Sequence, residues 1–324
     1  MILVVGASGQ LGTAVIRRLA SSTHQVRAFV RPTSAVRHLR IPNVELAVGD
    51  LRDAASVQAA CRGVEVIIAT ANTVVPRVSY SFERDEGKGY RNLIAASERQ
   101  GVKQVIFMSV PVTSHDDAIP TFRLKRSIER FLTASVIPYT IFRGAPFMDE
   151  WFALIGSSIP LRGSEAATLR RPFWFAQAFM RGAGHLIDRH GTAVVPGSGN
   201  TLHSFVALDN VAQFLANAVN RNDAKNAIFE IGGPQALSWN DVVALFAKLL
   251  GREIRAVHVP ANVFRLQQLV LNPFSPAAAN LMCLNWTVST TDTLYDTTAL
   301  AERFGVHLMS GEEFLQAKLA LNDD

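Results

Sequence analysis

The stretch Gly6-Ala-Ser-Gly-Gln-Leu-Gly12 decides the fold because of what stands on either side of it. Four apolar residues, Ile2–Val5, precede the first glycine, and a helical pattern begins at Gln10. In such a strand–loop–helix unit, spaced glycines permit a tight turn, a close approach of the backbone to a phosphate, and close packing of the helix. The positive end of the helix points at the same place. The stretch therefore predicts a dinucleotide-binding loop, formed by Gly6, Ser8, Gly9, Gln10, Leu11 and Gly12; the alternative is a plain turn.

Short apolar runs and amphipathic runs alternate behind this loop up to about residue 145. The period of the pattern predicts strands at 2–5, 26–30, 44–47, 64–70, 105–109 and 139–142, with helices at 10–21, 54–61, 89–100 and 123–134. Apolar strands connected by helices form parallel sheets that are covered on both faces. Residues 1–145 therefore predict a doubly wound, Rossmann-type α/β domain.

The second half of the chain mixes aromatic residues, prolines and glycines and lacks this regularity. It predicts a smaller, mostly helical substrate lobe over 146–202 and 234–324. Two short strands, at 204–209 and 228–231, are expected to return to the first domain within about 203–233. Capping boxes at Ser238-Trp-Asn-Asp241 and Ser310-Gly-Glu-Glu313 predict two helix starts.

The end of the second strand indicates which dinucleotide the loop accepts. An acidic residue there would bind the adenosine ribose and repel a 2′-phosphate, but no carboxylate occurs before Glu45. Arg31 is placed to pair with a 2′-phosphate, with Ser34 and Arg37 as further donors. NADP(H) is therefore predicted, with NAD(H) the weaker choice; a solvated basic surface is the alternative.

Two further segments are candidates for contacts with the dinucleotide. Asp50, followed by Leu51, comes after the third strand, where a carboxylate can accept from an adenine amino group or instead cap the next helix. Ala69, Thr70 and Ala71 end the fourth strand, where small side chains would let the dinucleotide pass close to the backbone.

Composition limits the other classes of function. The chain has 48% hydrophobic and 18% charged residues, a formal charge of +5 and two cysteines. These values are typical of a soluble globular protein in a reducing, cytoplasmic setting, and they demand no nucleic-acid surface. The histidines show no metal-ligand spacing, so no metal is expected. The longest charge-free stretch, 266–291, is interrupted by proline and asparagine and predicts no transmembrane helix.

Taken together, these segments make the chain resemble the atypical short-chain dehydrogenase/reductase proteins of the NmrA-like kind, which include isoflavone-reductase-like and quinone-reductase-like enzymes. The resemblance rests on 6–12, Arg31, 49–51, 89–96, 101–109, 125–129 and 137–143. It implies that Lys125 binds the nicotinamide ribose, that Ser109 faces the nicotinamide and that Arg143 lies beside it. The alternative role for Arg143 is that of a structural ion-pair partner.

The chain departs from the usual short-chain reductase at one site. None of its four tyrosines has a lysine four residues later, and the position four before Lys125 is Thr121, a far poorer acid. Lys125, Ser109 and Thr121 are therefore the catalytic candidates. Lys125 could equally be a surface residue in an Arg-Leu-Lys-Arg run, and Ser109 a plain strand-end hydroxyl.

We expect an NADPH-dependent reductase that delivers hydride to an apolar, aromatic, quinonoid or enone metabolite. The aromatic residues after Pro146 suit such a small-molecule substrate and leave peripheral membrane contact possible. The alternatives are a non-catalytic NADP(H)-sensing regulatory protein and an epimerase-type enzyme. The oligomeric state is left open.

Overall fold

Seven parallel strands form the central sheet of the computed structural model, which describes residues 1–72, 82–171 and 173–321. The strands of the protein are β1 Ile2–Val5, β2 Val26–Val30, β3 Val44–Val48, β4 Val66–Ala69, β5 Gln104–Ser109, β6 Tyr139–Gly144, β7 Thr192–Pro196, β8 Leu202–His203, β9 Ala227–Ile231, β10 Leu237–Ser238 and β11 Arg255–Val259. The order in the sheet is β3-β2-β1-β4-β5-β6-β9. The order reverses between β1 and β4, which creates a crevice at the carboxyl ends of these strands.

Helices cover both faces of this sheet. The helices in the described residues, including those of the second lobe, are α1 Gln10–Ala20, α2 Ala54–Ala60, α3 Lys88–Gln100, α4 Pro120–Thr133, α5 Met148–Leu154, α6 Trp174–Gly182, α7 Leu186–His190, α8 Leu208–Asn217, α9 Trp239–Leu250, α10 Ala261–Leu271, α11 Pro276–Val288, α12 Thr298–Phe304 and α13 Gly311–Leu319. Along β1, Ile2 and Val4 join one buried cluster while Leu3 and Val5 join the other. The predicted doubly wound fold with a helical C-terminal region is confirmed.

Of the two strands that were expected to return to the first domain, one is present and the other is not. The strand expected at 228–231 exists as β9 and pairs with β6 at the edge of the main sheet. The strand expected at 204–209 is wrong, because only Val206 forms a bridge, to Phe147, and α8 begins at Leu208. The Asp149 carboxylate accepts from the Leu208 backbone N–H at 2.9 Å, so a residue 59 positions away supports the helix start.

The two capping boxes are formed as the sequence predicts. Ser238 accepts from the Asp241 backbone N–H and Ser310 accepts from that of Glu313, and each carboxylate reaches back to the cap residue. α9 and α13 therefore start at these positions.

A hairpin of α10 and α11 stands beside the Rossmann domain. It carries five exposed apolar side chains, of which Leu266, Val270 and Phe274 also line the large cavity described below; the other two are Val263 and Leu269. Peripheral membrane contact, which the sequence left possible at the aromatic residues after Pro146, stays a prediction. Within the described residues, no helix combines the length and apolar character needed to cross a bilayer.

Candidate functional site

The glycine loop lies in the crevice between β1 and β4. Gly6 has φ +86°, and a Cβ built there would stand 2.5 Å from the Ala71 backbone nitrogen. A Cβ at Gly12 would stand 2.3 Å from the Gly6 carbonyl oxygen. Both positions therefore exclude any side chain, and the loop presents bare backbone at the N-terminus of α1.

Gln10 begins α1 and adds a polar side chain to this loop. Both polar atoms of its amide are buried, and neither has a hydrogen-bond partner among the described residues. An orphaned buried amide beside a helix N-terminus fits a ligand that supplies both acceptors and donors. This observation, together with the glycine cradle, fits the pyrophosphate region of a dinucleotide.

Basic residues converge on the other side of the loop. The Ser8 hydroxyl donates to Ser34 Oγ at 3.2 Å, so the loop and the end of β2 are in contact. Arg171, from the second lobe, donates to the Ser8 carbonyl oxygen at 2.7 Å. Burial is the main cause that lowers the pKa of Arg171, and the positive charge of Arg31 lowers it further. The two guanidinium groups thus lie close enough for their charges to interact, which favours an anion between them.

Arg31 and Arg37 are exposed, and within the described part of the chain neither guanidinium makes a hydrogen bond or an ion pair. Arg31 follows β2 directly, and Arg37 lies in a short 3₁₀ turn, Arg37–Leu39. Both are free to meet a phosphate. Sequence reasoning missed Arg171 as a member of this group, because its 163-residue separation from Ser8 leaves no local pattern.

Asp50 does not cap a helix, which corrects one of its two predicted roles. The cap of α2 is Asp53, whose carboxylate accepts from the Ala55 backbone N–H. Asp50 pairs with Arg52 at 2.7 Å, and this bond is the main cause that lowers the Asp50 pKa. Leu51 lies against Gly89, where a Cβ would stand 2.8 Å from the Leu51 Cβ. Asp50 and Leu51 hence remain at the adenine end of the crevice as predicted contacts.

The residues after β4 connect the crevice to Lys125. Ala69 is buried, and the Thr70 hydroxyl donates to the Val5 carbonyl oxygen at 3.1 Å. The Ala71 carbonyl oxygen accepts from the Tyr90 hydroxyl at 2.7 Å and from Lys125 Nζ at 3.1 Å. Lys125 is therefore held against the backbone segment along which a dinucleotide would pass.

Lys125 is 2% exposed, so it is not a surface residue. Its Nζ lies 3.7 Å from Glu86 Oε1 and faces the rings of Phe107 and Tyr90 at 4.9 and 5.6 Å from their centroids. Burial lowers the pKa of Lys125, whereas the charge of Glu86 opposes this shift. Glu86 precedes α3 and gave no signal in the sequence.

Ser109 belongs to a buried ionic network. Its hydroxyl donates to Glu129 Oε1 at 2.5 Å, and the same carboxylate receives Arg143 at 2.7 Å and Arg126. Glu129 is the largest cause that raises the Arg143 pKa. Ser109 faces the central cavity while its proton is directed away from it, and Arg143 is not among the residues that line the cavity.

Thr121 lies at the start of α4 and is bonded to the hairpin. Its hydroxyl and its backbone N–H both donate to Asn280 Oδ1, at 3.1 and 3.2 Å. The structure thus brings Thr121 and Lys125 to one cavity wall, but the Thr121 proton is directed towards α11.

One continuous cavity of about 1450 Å³ joins these groups. At one end are Gly9 and Gln10, in the middle are Ser109 and Lys125, and the far end is apolar. Ligand pockets typically measure about 300–1,000 Å³, so this space exceeds that of one drug-sized ligand. The apolar wall is built by Phe147, Trp151, Leu154, Leu169, Phe173, Phe179, Phe264, Val270, Phe274, Leu281 and Met282. Among the described residues, no group of three or more His, Cys, Asp or Glu side chains is placed to hold a metal ion.

The glycine cradle at the topological switch point defines a Rossmann-type dinucleotide-binding fold. The model of the NmrA-like family matches residues 1–284, and the chain belongs to that family. The resemblance inferred from the sequence is confirmed.

Known proteins similar to this chain differ in what they do. Photosystem II assembly factor Ycf39 of Cyanophora paradoxa is 26% identical over 82% of this chain and 73% of its own length. An NAD(P)H azoreductase of Xenophilus azovorans is 26% identical over 80% of this chain and 77% of its own. The structure of an NADPH-dependent quinone oxidoreductase of Escherichia coli in complex with NADPH superposes on this chain with a TM-score of 0.72 at 20% sequence identity. The alignment covers 98% of this chain and 100% of the oxidoreductase.

Proposed function

We propose that the protein is an NADPH-dependent reductase of an apolar, aromatic or quinonoid metabolite. The observation that carries this proposal is the continuity of the cavity, which runs from the glycine loop past Lys125 to an aromatic wall. A space of about 1450 Å³ accommodates the nicotinamide end of a cofactor and a flat substrate together. The similarity to an azoreductase and a quinone oxidoreductase supports the same reaction class.

Different residues would bind different parts of the cofactor. Glycine-loop amides and Gln10 would hold the pyrophosphate, and Arg31 and Arg171 would pair with a 2′-phosphate. Lys125, held by Ala71 and Glu86, would fix the nicotinamide ribose. Bound NADPH would supply the hydride. The apolar wall excludes water from the reacting carbon and orients a flat ring.

The direct test is NADPH oxidation measured against a panel of quinones, enones and azo compounds. We expect turnover with at least one class, and Lys125→Met should lower kcat by 10²-fold or more. Lys103→Met is the matched control, because Lys103 is an exposed lysine paired with Glu65 outside the cavity. Turnover with no compound, at saturating NADPH, would contradict the proposal.

A non-catalytic NADP(H) sensor is the second candidate. One observation favours it: the protons of Ser109 and Thr121 are both directed to other side chains, Glu129 and Asn280. The similarity to an assembly factor points the same way. Tight cofactor binding, selective for one redox state and without turnover, would support this function. A cytoplasmic location stays a prediction from the sequence under either function.

A further inference from the structure

Glu150 is one of the residues that line the cavity, and the mechanism above does not use it. It lies in the first turn of α5, three residues after the Phe147 that also lines the cavity, and its own side chain is part of the same wall. α5 follows β6, whose carboxyl end faces the crevice together with β1, β4 and β5. Glu150 is therefore only three residues from Phe147, a side chain of the apolar wall against which the substrate would bind.

Two adjacent carboxyl groups in α5 have opposite surroundings. Asp149 pairs with Lys318 at 3.1 Å and accepts from the Leu208 backbone N–H. Glu150 Oε2 is buried, and it has no hydrogen-bond partner among the residues that the structure describes. A buried carboxyl oxygen without a partner favours the neutral acid, since the charged form loses hydration that the protein does not replace at that oxygen.

The charges around Glu150 agree with a neutral acid. Burial is the main cause that raises the pKa of Glu150 to about 8, and the charge of Asp149 adds to it, while a hydrogen bond to the Glu150 backbone and the charge of Lys318 on α13 oppose them. The segment Ile159–Leu161, which packs against α5, carries no charged side chain. At neutral pH the group therefore keeps a proton that it can donate into the cavity.

The other candidate donors are engaged elsewhere. The Ser109 hydroxyl donates to Glu129, and the Thr121 hydroxyl donates to Asn280. Lys125 directs Nζ at the Ala71 carbonyl oxygen and lies beside Glu86. Glu150 differs from these groups, because its Oε2 has no hydrogen-bond partner among the described residues.

We propose that Glu150 is the proton donor of the reduction and replaces the tyrosine that short-chain reductases generally use. This inference rests on the proposed reductase function. A quinone takes up a hydride from NADPH and a proton from the Glu150 carboxyl, giving a hydroquinone, NADP⁺ and the Glu150 carboxylate. Water returns a proton to Glu150 before the next turnover. The substrate must therefore present a neutral oxygen or nitrogen acceptor to this wall, and a carboxylate is disfavoured there.

The test compares Glu150→Gln with Glu165→Gln, a matched change at an exposed glutamate that does not line the large cavity. We expect the wild-type rate of quinone reduction to be constant below pH 8 and to fall above it. Glu150→Gln should lower kcat by about 10²–10⁴-fold at pH 7 and abolish that fall, with the Kd for NADPH within twofold of wild type. Glu165→Gln should follow wild type. A Glu150→Gln enzyme with wild-type kcat and pH profile would overturn the assignment.

A second measurement separates failure of this inference from failure of the proposed function. Infrared spectroscopy of the wild-type protein should show a carboxylic-acid C=O band that disappears near pH 8 and is missing in Glu150→Gln. If no compound is reduced but the band is present, the reductase function is wrong and the neutral acid in the cavity stands. If compounds are reduced and the band is absent at pH 6, Glu150 is not the donor.

Discussion

Arg31 is the residue through which the site would distinguish NADPH from NADH. Arg31 directly follows β2 and is exposed, and its charge is close enough to Arg171 to lower the pKa of that residue. A charge-assisted pair with a 2′-phosphate is worth about 1.5–3 kcal/mol. Arg31→Ala should therefore raise the Kd for NADPH by about 10–100-fold and leave the Kd for NADH within twofold, as measured by calorimetry. Arg40→Ala, an exposed arginine of the same segment, is the control. Equal losses for both cofactors would argue against a 2′-phosphate contact.

Glu150 should also make the stability of the protein depend on pH. Its pKa is about 8 in the folded chain against an ordinary value of 4.5, so the folded state holds a proton that the unfolded state releases between these pH values. The free energy of unfolding therefore falls as pH rises from about 5 to 8, with a slope of up to about 1.4 kcal/mol per pH unit from this group. Glu150→Gln removes this contribution, so urea denaturation should show wild type losing stability relative to the variant over this range. Parallel curves for the two proteins would show that Glu150 is ionised in the fold.

At the scale of elements, the sequence predicted what depends on local patterns. All six strands expected before residue 145 exist, because their apolar runs and the glycines that end them are local signals. The start of α8 at Leu208 was missed, since Asp149 supports it from another helix. The same distinction between local and tertiary signals applies to the residues of the candidate site. The loop at Gly6 and Gly12 was predicted from the glycine spacing. Glu86, Glu150 and Arg171 were missed, because only the tertiary fold brings Glu86 to Lys125 and the other two to the cavity.

The contact between α4 and α11 fixes the helical hairpin, and it too can be tested. Asn280 Oδ1 accepts both donors of Thr121, and Cys283, one turn further along α11, is 1% exposed. Asn280→Leu leaves two buried donors without an acceptor and should lower the free energy of unfolding by about 1–3 kcal/mol. In a Cys61→Ala background, the Cys283 thiol should then react faster with a thiol reagent. Thr121→Val removes one of the two hydrogen bonds and should have a smaller effect on the free energy of unfolding and on the labelling rate of Cys283. Unchanged labelling in Asn280→Leu would mean that other contacts hold the hairpin.

At the scale of the whole molecule, the second lobe contributes directly to the proposed cofactor pocket. Arg171 reaches across from that lobe to the Ser8 carbonyl oxygen, and the cavity wall combines residues of the glycine loop with residues of α5, α10 and α11. A bound dinucleotide would therefore contact both parts of the chain. Its binding free energy would stabilise the folded protein as a unit, rather than the Rossmann domain alone.

The stabilisation of the folded protein by bound NADPH can be measured in wild type and in a variant at Arg171. At NADPH concentrations of 100 times Kd, wild type should gain about 2.7 kcal/mol in free energy of unfolding. Arg171→Met removes a cation that would face the phosphate, so its Kd should rise by about 10-fold or more and its gain at the same concentration should fall to about 1.4 kcal/mol or less. Arg170→Met, at the exposed neighbouring arginine, should keep the full gain. Urea denaturation of the three proteins with and without NADPH gives these values, and an undiminished gain in Arg171→Met would place the second lobe outside the cofactor site.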